Sequence, residues 1–282
     1  MTILVTGANG NIGSRLVETL RAQGYSVRAT ARDISTLSPG HGVDTVHMDL
    51  TNPSAPDFVP ALDGVQTVFL YPALGSMDGF LQALSASDVE HVVLLSSPDS
   101  YEPVGHQRII GLVHQQIEQG IARSGVAYTV LYPSWLATNA LRDWGAEIRS
   151  GGTVSTAYPD ARMTPIHIDD VARVAADLLT SPTFRGRFQI LTGPRSMTLR
   201  DMIGTIADVR GQTIDLIELT PEQATRQRPE WLPTDVFAAL LDASAAATGV
   251  PAPINNTVER ITGRQPQPFT AWVETRRERF VA

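Results

Sequence analysis

A glycine-rich segment near the start of the chain constrains the fold more than any other feature. The hydrophobic run at residues 3–5 is typical of a buried strand, and apolar residues recur at helical spacing from Ile12 onward. Between them, Gly7 permits a tight strand-to-helix turn and Gly13 permits close packing of the helix on the strand. The segment therefore predicts a strand–turn–helix unit that opens a parallel α/β sheet.

The same segment predicts a dinucleotide site. Gly10 lets the backbone approach a pyrophosphate, and the helix N-terminus supplies N–H donors with a partial positive charge. A glycine pattern alone is weak evidence, but its position after a strand and before a helix makes it informative. The cofactor-binding residues predicted in this segment are Gly7, Asn9, Gly10, Asn11, Ile12 and Gly13.

The end of the second predicted strand favours NADP(H) over NAD(H). An NAD site usually has an acidic residue about 20 residues past the glycines, where this chain has Ala31 followed by Arg32. A guanidinium there can bind a 2′-phosphate through two hydrogen bonds. Asp33 keeps NAD(H) open as an alternative, because its carboxylate could neutralise Arg32 or accept a hydrogen bond from a ribose hydroxyl. After the third strand, Asp49 is predicted to accept from the adenine amino group and Leu50 to pack on the ring.

Strand and helix patterns alternate through the first two-thirds of the chain, which predicts right-handed crossovers. The predicted fold is α/β: a Rossmann-type doubly wound parallel sheet with a smaller, mostly helical C-terminal substrate lobe. Residues 1–133 with 164–192 form the predicted core, and residues 134–163 with 193–282 form the lobe. Thr164–Ile168 is strand-like, Phe188–Thr192 is predicted to return to the sheet, and Trp144, Trp231 and Trp272 are expected to pack the lobe.

Composition excludes several chemistries. The chain contains no cysteine, which removes disulfides, thiolate catalysis and thiolate metal sites. All 22 basic residues are arginine, so no lysine can act as a proton donor or form a Schiff base. The net charge of −7 argues against a nucleic-acid partner, and no apolar run reaches the roughly 20 residues of a membrane span. We expect a cytoplasmic protein with no membrane association.

Further segments form a pattern that extends along nearly the whole chain. They are Thr6–Gly13, Val27–Arg32, Val92–Ser97, Glu118 with Ser124–Pro133, Asn139, Ile168–Ala172 and Thr262–Val273. In this combination the chain resembles the NmrA-like branch of the atypical short-chain dehydrogenases/reductases. The resemblance implies a Rossmann core that binds NADP(H), with a pocket between core and lobe. Members of that branch are either reductases or redox-sensing regulators.

The chain departs from the superfamily's usual Tyr-x-x-x-Lys pair. By spacing from Ser124-Gly125, Ile110 occupies the tyrosine place and His114 the lysine place, while Tyr132 stands where arginine is more usual. Reduction of a simple ketone needs a nearby proton donor, whereas reduction of quinones, conjugated enones and iminium carbons depends less on such a donor. The sequence therefore predicts an NADPH-dependent reductase of a small conjugated molecule. A non-catalytic NADP(H) sensor that binds a protein partner, or a cofactor-retaining cyclase or isomerase, is left open.

The remaining site residues are predicted from the strand ends and from the resemblance. His114, Ser97 and Tyr132 are the catalytic candidates, and His114 is also expected to contact the nicotinamide ribose. Further cofactor-binding candidates are Tyr71, Pro72, Ala73, Ser96 and Pro133, and the substrate-pocket candidates are Tyr101, Trp135 and Asn139. No metal site is expected, since Asp169 beside His167 is better explained as the start of a helix. A homodimer is possible.

Overall fold

The computed structural model describes residues 1–37, 40, 42–73, 75–101, 108–184 and 188–281. The strands are β1 (Thr2–Val5), β2 (Ser26–Ala31), β3 (Asp44–His47), β4 (Thr67–Leu70), β5 (His91–Leu95), β6 (Ala127–Pro133), β7 (Thr153–Thr156), β8 (Arg162–Met163), β9 (Phe188–Leu191), β10 (Met197–Thr198) and β11 (Asp215–Glu218). The α-helices are α1 (Asn11–Ala22), α2 (Val59–Leu62), α3 (Asp78–Ser85), α4 (Arg108–Arg123), α5 (Asn139–Asp143), α6 (Gly145–Gly151), α7 (Ile168–Thr180), α8 (Leu199–Arg210), α9 (Pro221–Arg226), α10 (Thr234–Ala246), α11 (Thr257–Thr262) and α12 (Phe269–Glu274).

Seven of the described strands form one parallel sheet in the order β3-β2-β1-β4-β5-β6-β9. Successive side chains of a strand point to opposite faces, so the central strands supply two hydrophobic cores. Ile3 and Val93 belong to the core under α1 and α7, whereas Leu4 and Leu94 belong to the core under α3 and α4. This architecture is the Rossmann-type fold that the strand–helix alternation predicts.

The segments predicted to form the lobe, residues 134–163 and 193–282, contain α5, α6 and α8 to α12 and two small two-stranded sheets. Their buried Trp144 and Trp272 belong to the same hydrophobic cluster as Ile3, so their packing continues the core under α1 and α7. Because this packing is continuous with the sheet, the division of the chain into a core and a lobe stays a prediction. Within the described ranges, no helix is both long and apolar enough to span a bilayer.

Two sequence expectations about this region are wrong. Thr164–Ile168 is not a strand; its one ladder contact is an isolated bridge between Ile166 and Leu136. Proline at position 165, which lacks an N–H, explains why pairing does not extend. Trp231 does not pack the lobe, because 65% of its surface is exposed. It lies between α9 and α10, in a connection where residues 229 and 233 are both proline.

The start of α1 lies directly on the turn that follows β1. A Cβ atom added to Gly13 would be 2.2 Å from the Gly7 carbonyl oxygen and 3.0 Å from the Ala8 Cα. Gly7 itself has a φ of +61°, in the left-handed region that favours glycine. Because both obstructing groups are backbone, only a residue without Cβ fits at position 13.

We predict that Gly13→Ala lowers the free energy of unfolding by about 2 kcal/mol or more, because the overpacked helix start must shift. Gly204→Ala is the matched control: residue 204 lies within α8, and its added Cβ meets nothing within 4 Å. That change should raise stability by up to about 1 kcal/mol through helix propensity. Urea unfolding measures the free energy of unfolding of both variants. Equal changes in the two variants would contradict the close contact between position 13 and the backbone of Gly7.

Candidate cofactor and active site

The N-terminus of α1 is open to a ligand. Gly10 is its N-cap residue, no described side chain caps it, and its first turn contains no acidic residue. The turn is held by the Gly10 N–H, which donates to the Gly7 carbonyl at 2.9 Å, and by the Ala8 N–H, which donates to Thr30. Helix α8, by contrast, has a capping box of Thr198 and Asp201. Free N–H groups and side-chain-free backbone fit a pyrophosphate, so the described residues suit the dinucleotide that the glycine pattern predicts.

The end of β2 lies beside this turn. The Asn9 side-chain amide donates to the Thr36 hydroxyl at 2.9 Å, which joins the glycine loop to the 3₁₀ turn after β2. Arg32 is exposed. The Asp33 carboxylate accepts from the Ser35 N–H at 2.9 Å and from the Ser35 hydroxyl at 2.6 Å. These hydrogen bonds lower the pKa of Asp33 and direct its charge toward Ser35.

Five of the predicted cofactor contacts follow the ends of β3 and β4. The Asp49 carboxylate accepts from the Thr51 N–H and hydroxyl at 2.9 and 2.7 Å, which lowers the pKa of Asp49. Leu50 is buried in the core under α3 and α4. The Tyr71 N–H donates to the Thr6 hydroxyl at 2.8 Å, which places Tyr71 next to the glycine loop. Adenine contacts of Asp49 and Leu50 stay predictions, as do contacts of Pro72 and Ala73.

Glu118 on α4 is the centre of a hydrogen-bond network between β5, α4 and β6. Its Oε1 accepts from the hydroxyls of Ser96 and Ser100 at 2.5 and 2.7 Å, and its Oε2 accepts from the Tyr132 hydroxyl at 2.9 Å. The Ser96 Oγ also lies 3.4 Å from Nδ1 of His114. The fold thereby brings together three residues predicted for the site: Ser96, His114 and Tyr132.

Burial sets the protonation states in this network. It lowers the pKa of His114, and the nearby charges of Glu118 and Asp99 offset only part of that effect, so the imidazole is neutral at pH 7. Burial and the Glu118 charge raise the pKa of Tyr132. Burial also raises the pKa of Asp99. The site therefore contains a neutral imidazole and a phenol that is a weaker acid than usual.

Two predicted residues have different surroundings from those expected. Ser97 caps the 3₁₀ turn Pro98–Ser100: its oxygen accepts from the Asp99 N–H at 3.3 Å and its hydroxyl donates to the Asp99 carboxylate at 3.1 Å. Ser96, not Ser97, is the serine beside His114. Tyr101 packs its ring against Phe188 of β9, with centroids 5.1 Å apart, on the α4 side of the sheet.

The residues predicted on the substrate side lie after β6. Pro133 is buried at the end of that strand. Trp135 stacks on Trp144 with ring centroids 5.7 Å apart, so its indole is part of the lobe packing. Asn139 is the first residue of α5 and is partly buried. Their contacts with a substrate, and that of Pro133 with the cofactor, stay predictions.

Sequence reasoning missed the role of Glu118 and Ser100. A usable signal was present, because His114 and Glu118 are four residues apart and therefore lie on one face of α4. The contacts with Ser96, Ser100 and Tyr132 depend on how β5, α4 and β6 pack, which the sequence does not state.

His167 has a structural role at the start of α7, where its Nδ1 accepts from the Asp169 N–H at 3.1 Å. Asp170 is fully buried, accepts from the Gln267 N–H at 2.7 Å and pairs with Arg173. Across the described part of the chain, no three histidine or acidic residues are grouped as metal ligands.

Comparisons with known proteins identify the family of this chain. Residues 7–182 match the NAD(P)H-binding family. A Streptomyces griseus protein, (4-alkanoyl-5-oxo-2,5-dihydrofuran-3-yl)methyl phosphate reductase, is 33% identical over 99% of each chain. An NAD(P)H azoreductase of Xenophilus azovorans is 27% identical over 99% of each chain.

A solved structure shares the fold. The Escherichia coli NADPH-dependent quinone oxidoreductase complexed with NADPH has a TM-score of 0.82 at 20% identity, covering 97% of this chain and 99% of that one. The family match spans the glycine loop, the Ser96–Glu118 network and α7. The chain therefore belongs to the NAD(P)H-binding family and is an NAD(P)H-dependent oxidoreductase.

Proposed function

We propose that this protein is an NADPH-dependent reductase of small molecules whose C=C bond is conjugated to two carbonyl groups. The observation that carries the proposal is that the described residues of the site offer no good proton donor at neutral pH, since Ile110 stands in the tyrosine place and burial lowers the pKa of His114. A substrate must then give a reduced anion that is stable without immediate protonation. Conjugation to two carbonyl groups spreads that charge over two oxygens.

The name of the Streptomyces griseus relative supports this class. It describes a ring C=C bond flanked by the ring carbonyl and the alkanoyl carbonyl. Bound NADPH supplies the hydride in such a reduction. In a substrate of this class, the two carbonyl groups would hold the negative charge left after hydride addition at the β-carbon, and water could then protonate the α-carbon. Ser96 and His114 would supply position and hydrogen bonds rather than acid catalysis.

The proposed preference for NADPH is based on the residues at the end of β2. Arg32 is exposed beside the glycine loop, and no acidic side chain stands at position 31. Asp33, the one acid nearby in sequence, accepts two hydrogen bonds from Ser35. This arrangement favours a guanidinium on a 2′-phosphate over a carboxylate on a ribose hydroxyl.

We expect Arg32→Ala to weaken NADPH binding about tenfold or more, since hydrogen bonds to charged groups contribute about 1.5–3 kcal/mol. NADH binding should change little. Calorimetric titration of both cofactors gives the comparison, with Arg226→Ala, an exposed arginine on α9, as the control. Equal weakening of both cofactors would contradict recognition of the 2′-phosphate.

The substrate class predicts a strong preference in turnover. A 3-acyl butenolide should be reduced with a kcat/KM at least about 100-fold above that of cyclohexanone, because the ketone needs general acid catalysis that is worth about 10²–10⁴-fold. NADPH consumption and product mass measure both reactions. Comparable rates would refute the class, and cofactor binding without any turnover would favour a sensor.

The neutral state of His114 predicts a pH effect on stability. Its native pKa lies below the ordinary 6.5. The unfolded chain therefore binds more protons just below pH 6.5, and the free energy of unfolding should decrease as pH falls from about 7 to about 5. His114→Gln should reduce this slope in urea unfolding. His167, whose pKa is also lowered, remains in both proteins, and the raised pKa values of Asp99 and Asp170 act oppositely at lower pH.

An unchanged slope in His114→Gln would show that the pKa of His114 is the same in the native and unfolded states, which would contradict the lowered native pKa. A steeper slope would show that the native pKa is raised, and the reasoning that selects substrates with stabilised anions would then lose its basis.

A further inference from the structure

A second cavity lies on the α4 side of the sheet, between α4 and the edge strand β9. Its volume is about 480 Å³, and we call it the side groove. It is lined by Glu118, Ala122, Gly125–Tyr128, Val130, Tyr132 and Phe188. It extends to the start of β6, at the amino edge of the sheet, whereas the glycine loop follows the carboxyl end of β1. The side groove therefore extends away from the glycine loop, and it shares Glu118 and Tyr132 with the network around His114.

Aromatic rings form one wall of the side groove. Phe188 lies 5.9 Å from Tyr132 and 5.1 Å from Tyr101 between ring centroids, and Tyr128 lines the cavity below them. Phe188 is 47% exposed, although it is on a strand of the main sheet. Aromatic faces carry negative electrostatic potential, which attracts cations.

Glu118 contributes a formal negative charge to the same cavity. Its three hydrogen-bond donors, Ser96, Ser100 and Tyr132, are neutral hydroxyls. None of the ion pairs formed by described arginines involves Glu118. Nearby Asp99 is also acidic, and the burial that lowers the pKa of His114 leaves its imidazole uncharged at neutral pH. The hydroxyls therefore fix the carboxylate in place without neutralising it.

We propose that the side groove binds a small organic cation, such as a substituted ammonium, with Glu118 as the counter-ion and Tyr128, Tyr132 and Phe188 against its carbon atoms. A neutral apolar ligand would remove water from Glu118 without compensating its charge, and an anion would be repelled. The cavity volume falls within the roughly 300–1,000 Å³ typical of small-molecule sites. Carboxylate and aromatic rings together are the side chains that recognise quaternary ammonium groups.

The test uses the full chain, with benzyltrimethylammonium as the cationic probe and N,N-dimethylbenzamide as a neutral probe of similar size. Calorimetry should show one saturable site for the cation, and at least about tenfold weaker binding of the amide, as expected for a desolvated cation–π contact with a counter-ion. Glu118→Gln should weaken cation binding by a similar factor, and Phe188→Leu should weaken it severalfold. Glu230→Gln, at an exposed site elsewhere, is the control.

Thermal unfolding of Glu118→Gln confirms that the variant folds, and Phe188→Leu provides an independent test if it does not. Three results would overturn the proposal: equal binding of both probes, displacement of the cation by saturating NADPH, or an unchanged affinity in both variants.

Discussion

The contact between Gly13 and the backbone of Gly7 and Ala8 determines the position of the cofactor site. With only hydrogen at position 13, α1 begins directly above the turn that leaves β1, and its free N–H groups face the carboxyl ends of the strands. Any side chain there would lift the helix away from the sheet. Helix α1 also packs against α7, so its placement is coupled to the largest hydrophobic cluster of the described chain. The Thr6–Tyr71 hydrogen bonds then join the turn to β4.

Sequence periodicity was sufficient to predict the sheet and its flanking helices, because buried parallel strands are continuous apolar runs and helices between them show the 3.6-residue period. It failed where tertiary context decides. Thr164–Ile168 has a strand-like composition, yet one bridge at Ile166 is its whole pairing. Trp231 is a large aromatic residue, yet most of its surface is exposed. The hydrophobic pattern of a segment therefore predicts its secondary structure better than it predicts which element the segment packs against.

Only part of the polar site could be predicted from the sequence, because tertiary packing also decides which polar groups meet. His114 and Ser96 could be assigned from their positions on α4 and at the end of β5, but the choice between Ser96 and Ser97 depends on which hydroxyl faces α4. The structure directs Ser96 toward His114 and Glu118, while Ser97 caps its own turn. Glu118 was part of a recognised motif without an assigned role. Its role became visible only when the packing brought hydroxyls from β5 and β6 to its two oxygens.

Tyr132 connects the unusual chemistry of the crevice with the character of the side groove. At a position where the resemblance leads one to expect arginine, a phenol gives Glu118 one hydrogen bond but no positive charge. An arginine would pair with the carboxylate and neutralise it. With tyrosine, burial and the nearby carboxylate raise the pKa of the phenol, so the Tyr132 hydroxyl is a poor acid. The single difference at position 132 thus has two consequences: the crevice contains a phenol that is a poor proton donor, and no described arginine pairs with Glu118 beside the aromatic rings of the side groove.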